Sequence, residues 1–152
     1  MSDKKVVTRF APSPKGFMHP GGVRTALYAW LFARKNNGTF ILRIEDTDKA
    51  REVEGSVKQI IESLSWLGLV WDFGPDKPGP WGSAVQSQRL DVYKKYAQQL
   101  IELGHAYADP YTEEGVEVLR KHAEAEKRPV LYRDHRAETP APCEGSKPFR
   151  FK

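Results

Sequence analysis

Two short stretches hold residues whose types and spacing could do chemistry. Arg9 stands near the carboxyl end of the β-forming run from Lys5 to Phe10, and Glu45 near the end of the run from Thr39 to Glu45. In open α/β sheets ligands bind beyond the carboxyl ends of the strands, so neighbouring strands would turn a cation and an anion toward one crevice. An α-amino acid carries the matching groups, a carboxylate for a guanidinium fork and an ammonium for a carboxylate. The same two residues could instead form an Arg9–Glu45 ion pair that closes the sheet edge, and both readings stay open. Between the runs lies Gly16-Phe17-Met18-His19-Pro20-Gly21-Gly22. Glycines before a helix let backbone N–H groups approach a phosphate, and the helix N-terminus favours its charge. His19 would sit at that mouth and could donate to a phosphate oxygen, or be only a turn residue. Neither Gly-x-Gly-x-x-Gly nor Gly-Lys-Ser/Thr occurs, so this is neither a dinucleotide fingerprint nor a Walker loop.

The elements that must position these residues follow from pattern. Val6, Val7 and Phe10 form the first strand, which Ala11-Pro12-Ser13-Pro14-Lys15-Gly16 ends abruptly. From Gly22 a helix follows with Val23, Ala26, Leu27, Trp30 and Leu31 on one face. Tyr28, Ala29, Phe32 and Ala33 make the other side apolar too, which predicts burial on most sides. Asn36-Asn37-Gly38 turns the chain into the second strand. Strand, helix and strand predict a crossover unit of a parallel sheet. A second helix carries Val53, Val57, Ile60, Ile61 and Leu64, with Gly68 as its C-cap, and Leu69–Trp71 reads as a short strand. The loop from Asp72 to Ala84 is too long for a mere connector. Ser87 is expected to cap a helix through Ile101, ended by Gly104, and Thr112 to begin one that ends before Pro129. The tail from Val130 mixes β-formers with Pro140, Pro142 and Pro148, and Phe149-Arg150-Phe151-Lys152 alternates like a strand.

The 152 residues suit one domain or one domain plus part of another. Aromatic content of 11% predicts a packed core. The net charge of +4 divides into two basic ends around an acidic middle, which permits a polyanionic partner without demanding one. No apolar run approaches the roughly 20 residues of a membrane span. The single Cys143 leaves no internal disulfide and no cysteine-based zinc cluster. A soluble cytoplasmic protein is the expectation.

Arg9-Phe10-Ala11-Pro12-Ser13-Pro14, His19-Pro20-Gly21-Gly22-Val23-Arg24-Thr25-Ala26-Leu27 and Leu42-Arg43-Ile44-Glu45-Asp46-Thr47-Asp48 together resemble the bacterial glutamyl-tRNA synthetases, members of class I. The likeness continues through Trp66-Leu67-Gly68-Leu69, Trp71-Asp72, Gly74-Pro75-Asp76 and Gln86-Ser87-Gln88-Arg89-Leu90. It loosens between about Ala108 and Pro148 and returns at Phe149 to Lys152. The resemblance implies a Rossmann-like α/β parallel sheet with helices on both faces. Residues 1–104 would be the N-terminal half of the catalytic domain, and 105–152 the start of an inserted acceptor-stem-binding region. It implies that His19, Gly21 and Gly22 form the HIGH-type signature, catalytic and ATP-binding together with Pro12. Arg9, Ala11, Ser13 and Glu45 would bind glutamate, Arg9 through the side-chain carboxylate and Glu45 through the ammonium. The implied partners are ATP with Mg2+ on its phosphates, L-glutamate and tRNA(Glu), in a monomer with no membrane association.

The chain also departs from the pattern. Pro20 replaces the usual aliphatic residue of the signature, which a helix start tolerates. Lys15 stands where a Thr is common and adds positive charge. Where many relatives carry a zinc-binding Cys-x-Cys, Asp109 and Tyr111 stand, so no zinc is expected, and His105, His122 and His135 read as solvated residues. A KMSKS-like second signature and an anticodon-binding domain are missing, so the chain is expected to be an N-terminal part with little activity alone. The competing readings are a glutamyl-queuosine tRNA(Asp) synthetase, of which Glu52-Val53-Glu54-Gly55 is slightly reminiscent, and a non-catalytic nucleotide- or RNA-binding fragment. Arg51, Lys127, Arg128, Arg133 and Arg136 are candidate RNA contacts, with a solvated face as the alternative for each.

Overall fold

The computed structural model describes residues 5–109, 111–130 and 149–151. His135, Arg133, Arg136, Cys143, Pro140, Pro142, Pro148 and Lys152 lie outside the described residues. Two units are distinguished, one up to Leu90 and one from Asp91 on.

In the first unit, β1 (Val7–Phe10) and β2 (Thr39–Leu42) pair in parallel, with Val7 opposite Thr39 and Phe10 opposite Leu42. The crossover between them is α1 (Pro20–Lys35). Both strands are shorter than the β-forming runs, yet their ladder continues: Arg43 N–H donates to Phe10 O (2.9 Å) and Glu45 N–H to Pro12 O (3.0 Å). Pro12 has no N–H to return the bond, so β1 gives out as a strand while its carbonyls still accept. On the other side of β2, Leu42 N–H donates to Phe73 O and Ile44 N–H to Ala84 O, both at 2.9 Å. The parallel bridges Ile41–Phe73 and Ile44–Val85 extend the sheet there. Leu69–Trp71, expected as a strand, forms none; its contact with β2 begins only at Asp72, whose N–H donates to Phe40 O at 2.9 Å.

The core lies where α1 and α2 (Ser56–Trp66) meet the sheet, around Phe40, Leu42, Ile44, Ile60 and Leu64, each at most 2% exposed. Each such side chain contributes about 1.5–3 kcal/mol by leaving water. α1 meets β1 through small residues: Ala26 and Ala33 are buried, and Thr8 Oγ donates to Ala29 O at 2.9 Å. The expected burial of this helix on most sides is corrected here. Tyr28 is 63% and Phe32 57% exposed, because among the described residues the sheet covers a single stripe of the helix.

Turn chemistry sets the ends. His19 caps α1, with Pro20 at the first helical position, and Asn37 takes a left-handed φ of 48° behind it. α2 starts three residues after Val53, because Val53 N–H is spent on Pro14 O (2.9 Å) and Gly55 is left-handed at φ 77°. Ser87 does not cap a helix. It sits in a 3-10 turn (Gln86–Arg89) ahead of α3 (Leu90–Glu102), and both its donors face Asp46.

In the second unit, β3 (Ala106–Ala108) pairs antiparallel with β4 (Phe149–Phe151), Tyr107 opposite Arg150. Thr112 caps α4 (Glu113–Ala125) by accepting from Gly115 N–H at 3.2 Å, as its sequence predicts. Among the described residues no helix is long and apolar enough to cross a membrane.

Candidate active site

The register of β1 and β2 decides how Arg9 and Glu45 relate. Arg9 lies opposite Ile41, and the hydrogen bonds from Arg43 and Glu45 carry that register past the strand ends. Alternation therefore sends Arg9, Ile41, Arg43 and Glu45 to the face away from α1, while Thr8 and Phe10 face the helix. Among the described residues no ion pair joins Arg9 to Glu45 and no hydrogen bond engages the exposed Arg9 guanidinium. Glu45, half-buried, stands 3.8 Å from Arg43 Nε.

Arg9 lines a cleft of about 160 Å³ with Arg43, Lys77, Arg89, Phe73 and Trp81. Its lining includes those four cations and no carboxylate. The wall opposite the strands is the loop from Phe73 to Ala84. Two tight approaches shape that loop, since a Cβ on Gly74 would fall 2.5 Å from the Trp71 ring and one on Gly79 2.4 Å from the Phe73 ring. Trp71 Nε1 donates to Asp76 Oδ1 (2.7 Å), and Arg89 donates to Trp81 O (2.5 Å) and Ser83 O (3.2 Å). The electrostatic character of this space is that of an anion receptor.

His19 ends the connection from β1. Its Nδ1 accepts from Gly21 N–H at 3.2 Å, which leaves the neutral ring's proton on Nε2, a donor at the exposed mouth of α1. No acidic residue occupies the first turn of α1 to compete for an anion. A Cβ on Gly21 would meet His19 Cε1 at 2.8 Å, and one on Gly22 would meet Met18 Sδ at 3.0 Å. The glycines serve close side-chain packing at the helix entrance as well as backbone access for a phosphate.

The connection itself is braced by the segment that follows Glu45. Pro14 is fully buried, and its carbonyl accepts from Val53 N–H and Ser56 Oγ (3.0 Å); Met18 N–H donates to Gln59 Oε1 (2.7 Å). Lys15 Nζ stands 2.9 Å from Asp48, which also pairs with Arg51; the bonds from Lys15 and then Arg51 hold the Asp48 carboxyl below its usual range. Ala11 and Pro12 are half-buried and Ser13 exposed on this connection, between Arg9 and His19. The expected residues thus occupy two groups, Arg9 to Ser13 with Glu45 along the paired strand exits and His19, Gly21 and Gly22 at the helix mouth.

Sequence reasoning missed the braces. Gln59, Ser56 and the Asp46–Ser87 pair act across 41 or 42 residues, a separation that no local spacing signals. Asp46 is 5% exposed and accepts from Ser87 N–H (2.9 Å), Ser87 Oγ (2.6 Å) and Lys49 Nζ (3.0 Å). Burial alone would raise its pKa, but the two bonds from Ser87, joined by Lys49, outweigh it and bring it down to about 2.

Metal chemistry finds little purchase in these side chains. Among the described residues no group of three or more His, Cys, Asp or Glu could hold an ion. Asp109 is 1% exposed and bound to Arg150 Nε at 2.6 Å, while Tyr111 N–H caps its other oxygen at 3.1 Å. Asp46 and Asp48 are likewise committed to cations and hydroxyls, so they do not fit a dedicated Mg2+ site.

Residues 5–144 match the family of tRNA synthetases class I (E and Q), catalytic domain. The chain is 55% identical over 124 residues to the glutamate–tRNA ligase of Anaeromyxobacter sp. (strain Fw109-5), covering 82% of this chain and 26% of that protein. It is 52% identical over 138 residues to the glutamate–tRNA ligase of Moorella thermoacetica, covering 90% and 28%. The crystal structure of the glutamate-tRNA synthetase from Elizabethkingia anophelis superposes with a TM-score of 0.81 at 47% identity, over 85% of this chain and 26% of that one. The chain spans about a quarter of the length of these relatives. With 140 consecutive residues matched and identities above half, it belongs to the class I tRNA synthetase (E and Q) catalytic-domain family.

Proposed function

We propose that this chain is the amino-acid- and ATP-binding portion of a glutamate–tRNA ligase. The observation that carries the reading is the placement of Arg9 on β1 and of Glu45 three residues past the end of its parallel neighbour β2, where Glu45 N–H still donates to Pro12 O at 3.0 Å. The Arg9 guanidinium, without a partner among the described residues, turns into a cleft lined by cations. A dicarboxylic amino acid fits it. Its side-chain carboxylate would lie against Arg9, its ammonium near Glu45, and Ala11 and Ser13 would flank it from the strand exit. ATP would lie at the mouth of α1, beside Pro12, Gly21 and Gly22, with His19 Nε2 donating to a phosphate oxygen.

The glutamate α-carboxylate then attacks the α-phosphorus of ATP. A new O–P bond forms, the bond to the β-phosphate oxygen breaks, and glutamyl-adenylate and pyrophosphate result. A hydroxyl at the 3′ end of tRNA(Glu) next attacks the acyl carbon and releases AMP. His19 and the helix dipole act by stabilising charge that grows on the phosphoryl oxygens, and the strand exits act by positioning. An Mg2+ ion that accompanies ATP would be carried by the phosphates, since the nearby aspartates are already engaged. Residues 105–152 would begin the region that binds the acceptor stem, in a monomeric cytoplasmic enzyme.

The test is ATP–pyrophosphate exchange in the presence of tRNA(Glu), and tRNA charging, by the full-length protein that carries these residues. Exchange that requires glutamate, with charging of tRNA(Glu), is expected. Charging of queuosine-containing tRNA(Asp) in its place would overturn this assignment in favour of the tRNA-modifying relative.

A further inference from the structure

Between the Glu45 rim and the loop that walls the Arg9 cleft run two sets of hydrogen bonds, joined through the short turn Gln86–Arg89 and anchored at one buried carboxylate. Asp46 follows Glu45 directly, and both its oxygens hold Ser87, through the backbone N–H (2.9 Å) and through Oγ (2.6 Å). Ser87 belongs to the 3-10 turn Gln86–Arg89. At the end of that turn, Arg89 ties down Trp81 O and Ser83 O at 2.5 and 3.2 Å, and Trp81, Gly82 and Ser83 line the cleft together with Arg9. Ile44 adds backbone bonds on the same line, its N–H to Ala84 O and its carbonyl from Gln86 N–H, both 2.9 Å.

We propose that Asp46 is a positioning residue for amino-acid recognition: through Ser87 and Arg89 it sets where the Trp81–Ser83 wall stands relative to Arg9 and Glu45. The inference rests on the ligase reading for the identity of the ligand, but Asp46 need not touch that ligand. A carboxylate suits the task because it accepts from two Ser87 donors and Lys49 at once. An amide of the same shape would turn an N–H2 group toward one of these donors. The consequence is selective. The helix mouth that would bind ATP is held by other contacts, Gln59 to Met18 and Ser56 to Pro14. Loosening the Asp46 link therefore disturbs the amino-acid side and leaves the nucleotide side in place.

The experiment is ATP–pyrophosphate exchange in the full-length protein with tRNA(Glu) present throughout, with glutamate and ATP titrated separately for wild type, Asp46→Asn, Ser87→Ala and Ser87→Thr. The expected result is a KM for glutamate raised about tenfold in Asp46→Asn and Ser87→Ala, with the KM for ATP within about twofold of wild type. Ser87→Thr, which keeps the hydroxyl, is expected to restore the glutamate KM. An unchanged glutamate KM in both disrupting variants, or a parallel rise in both KM values, overturns the proposal while the ligase reading stands. Should Asp46→Asn fail to fold, Ser87→Ala alone decides by the same criterion. Wild-type protein that shows no glutamate-dependent exchange would overturn the ligase reading and this proposal with it.

Discussion

His19 is oriented by a backbone N–H only two residues further on, and that contact makes Gly21 hard to replace. The Cβ of Gly21→Ala would sit 2.8 Å from the imidazole, so the ring must leave its place at the helix mouth. On the proposed function, this variant is expected to lose about a hundredfold in pyrophosphate exchange, the scale of one misplaced charge-stabilising donor. Its melting temperature should change by only a few degrees. Arg9 makes the complementary case. Arg9→Gln removes a guanidinium that no carboxylate among the described residues uses, so folding stability should hold while the glutamate KM rises about ten- to hundredfold, which substrate titrations would measure. The types of these residues and their order along the chain were legible without coordinates. The choice between ligand anchor and Arg9–Glu45 ion pair was not, because it depends on register and rotamer; among the described residues the two are not paired with each other, and Glu45 stands beside Arg43 instead.

Between secondary-structure elements, the decisive groups are buried and reach across long separations. Ser56, buried at the start of α2, holds the carbonyl of Pro14 at 3.0 Å. Ser56→Ala leaves that carbonyl with Val53 N–H alone and should cost about 1–2 kcal/mol in urea unfolding. Asp46 gives a pH prediction with a definite sign. Its carboxyl is held at about 2 in the folded protein against an ordinary value of 3.8, so the folded state binds its proton less readily than the unfolded chain does. The stabilisation is fully present above pH ~4 and is lost as pH falls from there toward ~2, about 2 kcal/mol in all. Urea titrations across that window should show wild type losing this increment and Asp46→Asn lacking it. Ser87 illustrates the limits of local reading. A serine just before a helical pattern reads as a cap, yet its hydroxyl is claimed by a carboxylate 41 residues earlier. In the same way, the apolar girth of α1 reads as burial on most sides, while the sheet covers only the Ala26–Ala33 stripe.

For the molecule as a whole, the chain spans about a quarter of its relatives' length, and Leu31, Phe32 and Tyr28 of α1 stand exposed. The 152 residues by themselves are therefore expected to form glutamyl-adenylate poorly or not at all. An exchange assay on this chain showing the turnover of a full-length ligase would overturn that expectation. What the amino-acid sequence determined alone was the crossover unit, the stop of α1 at Asn36-Asn37-Gly38, the start of α4 at Thr112, and the order of Arg9, His19 and Glu45, because periodicity, turn residues and caps act over a few residues. Only the tertiary structure decided the cationic lining of the cleft, the bracing of the His19 connection by Ser56 and Gln59, and the use of Asp46 and Ser87 as a clamp. These depend on which segments lie side by side once the sheet has formed, and the burial that gives such hydrogen bonds their strength exists only in the folded chain.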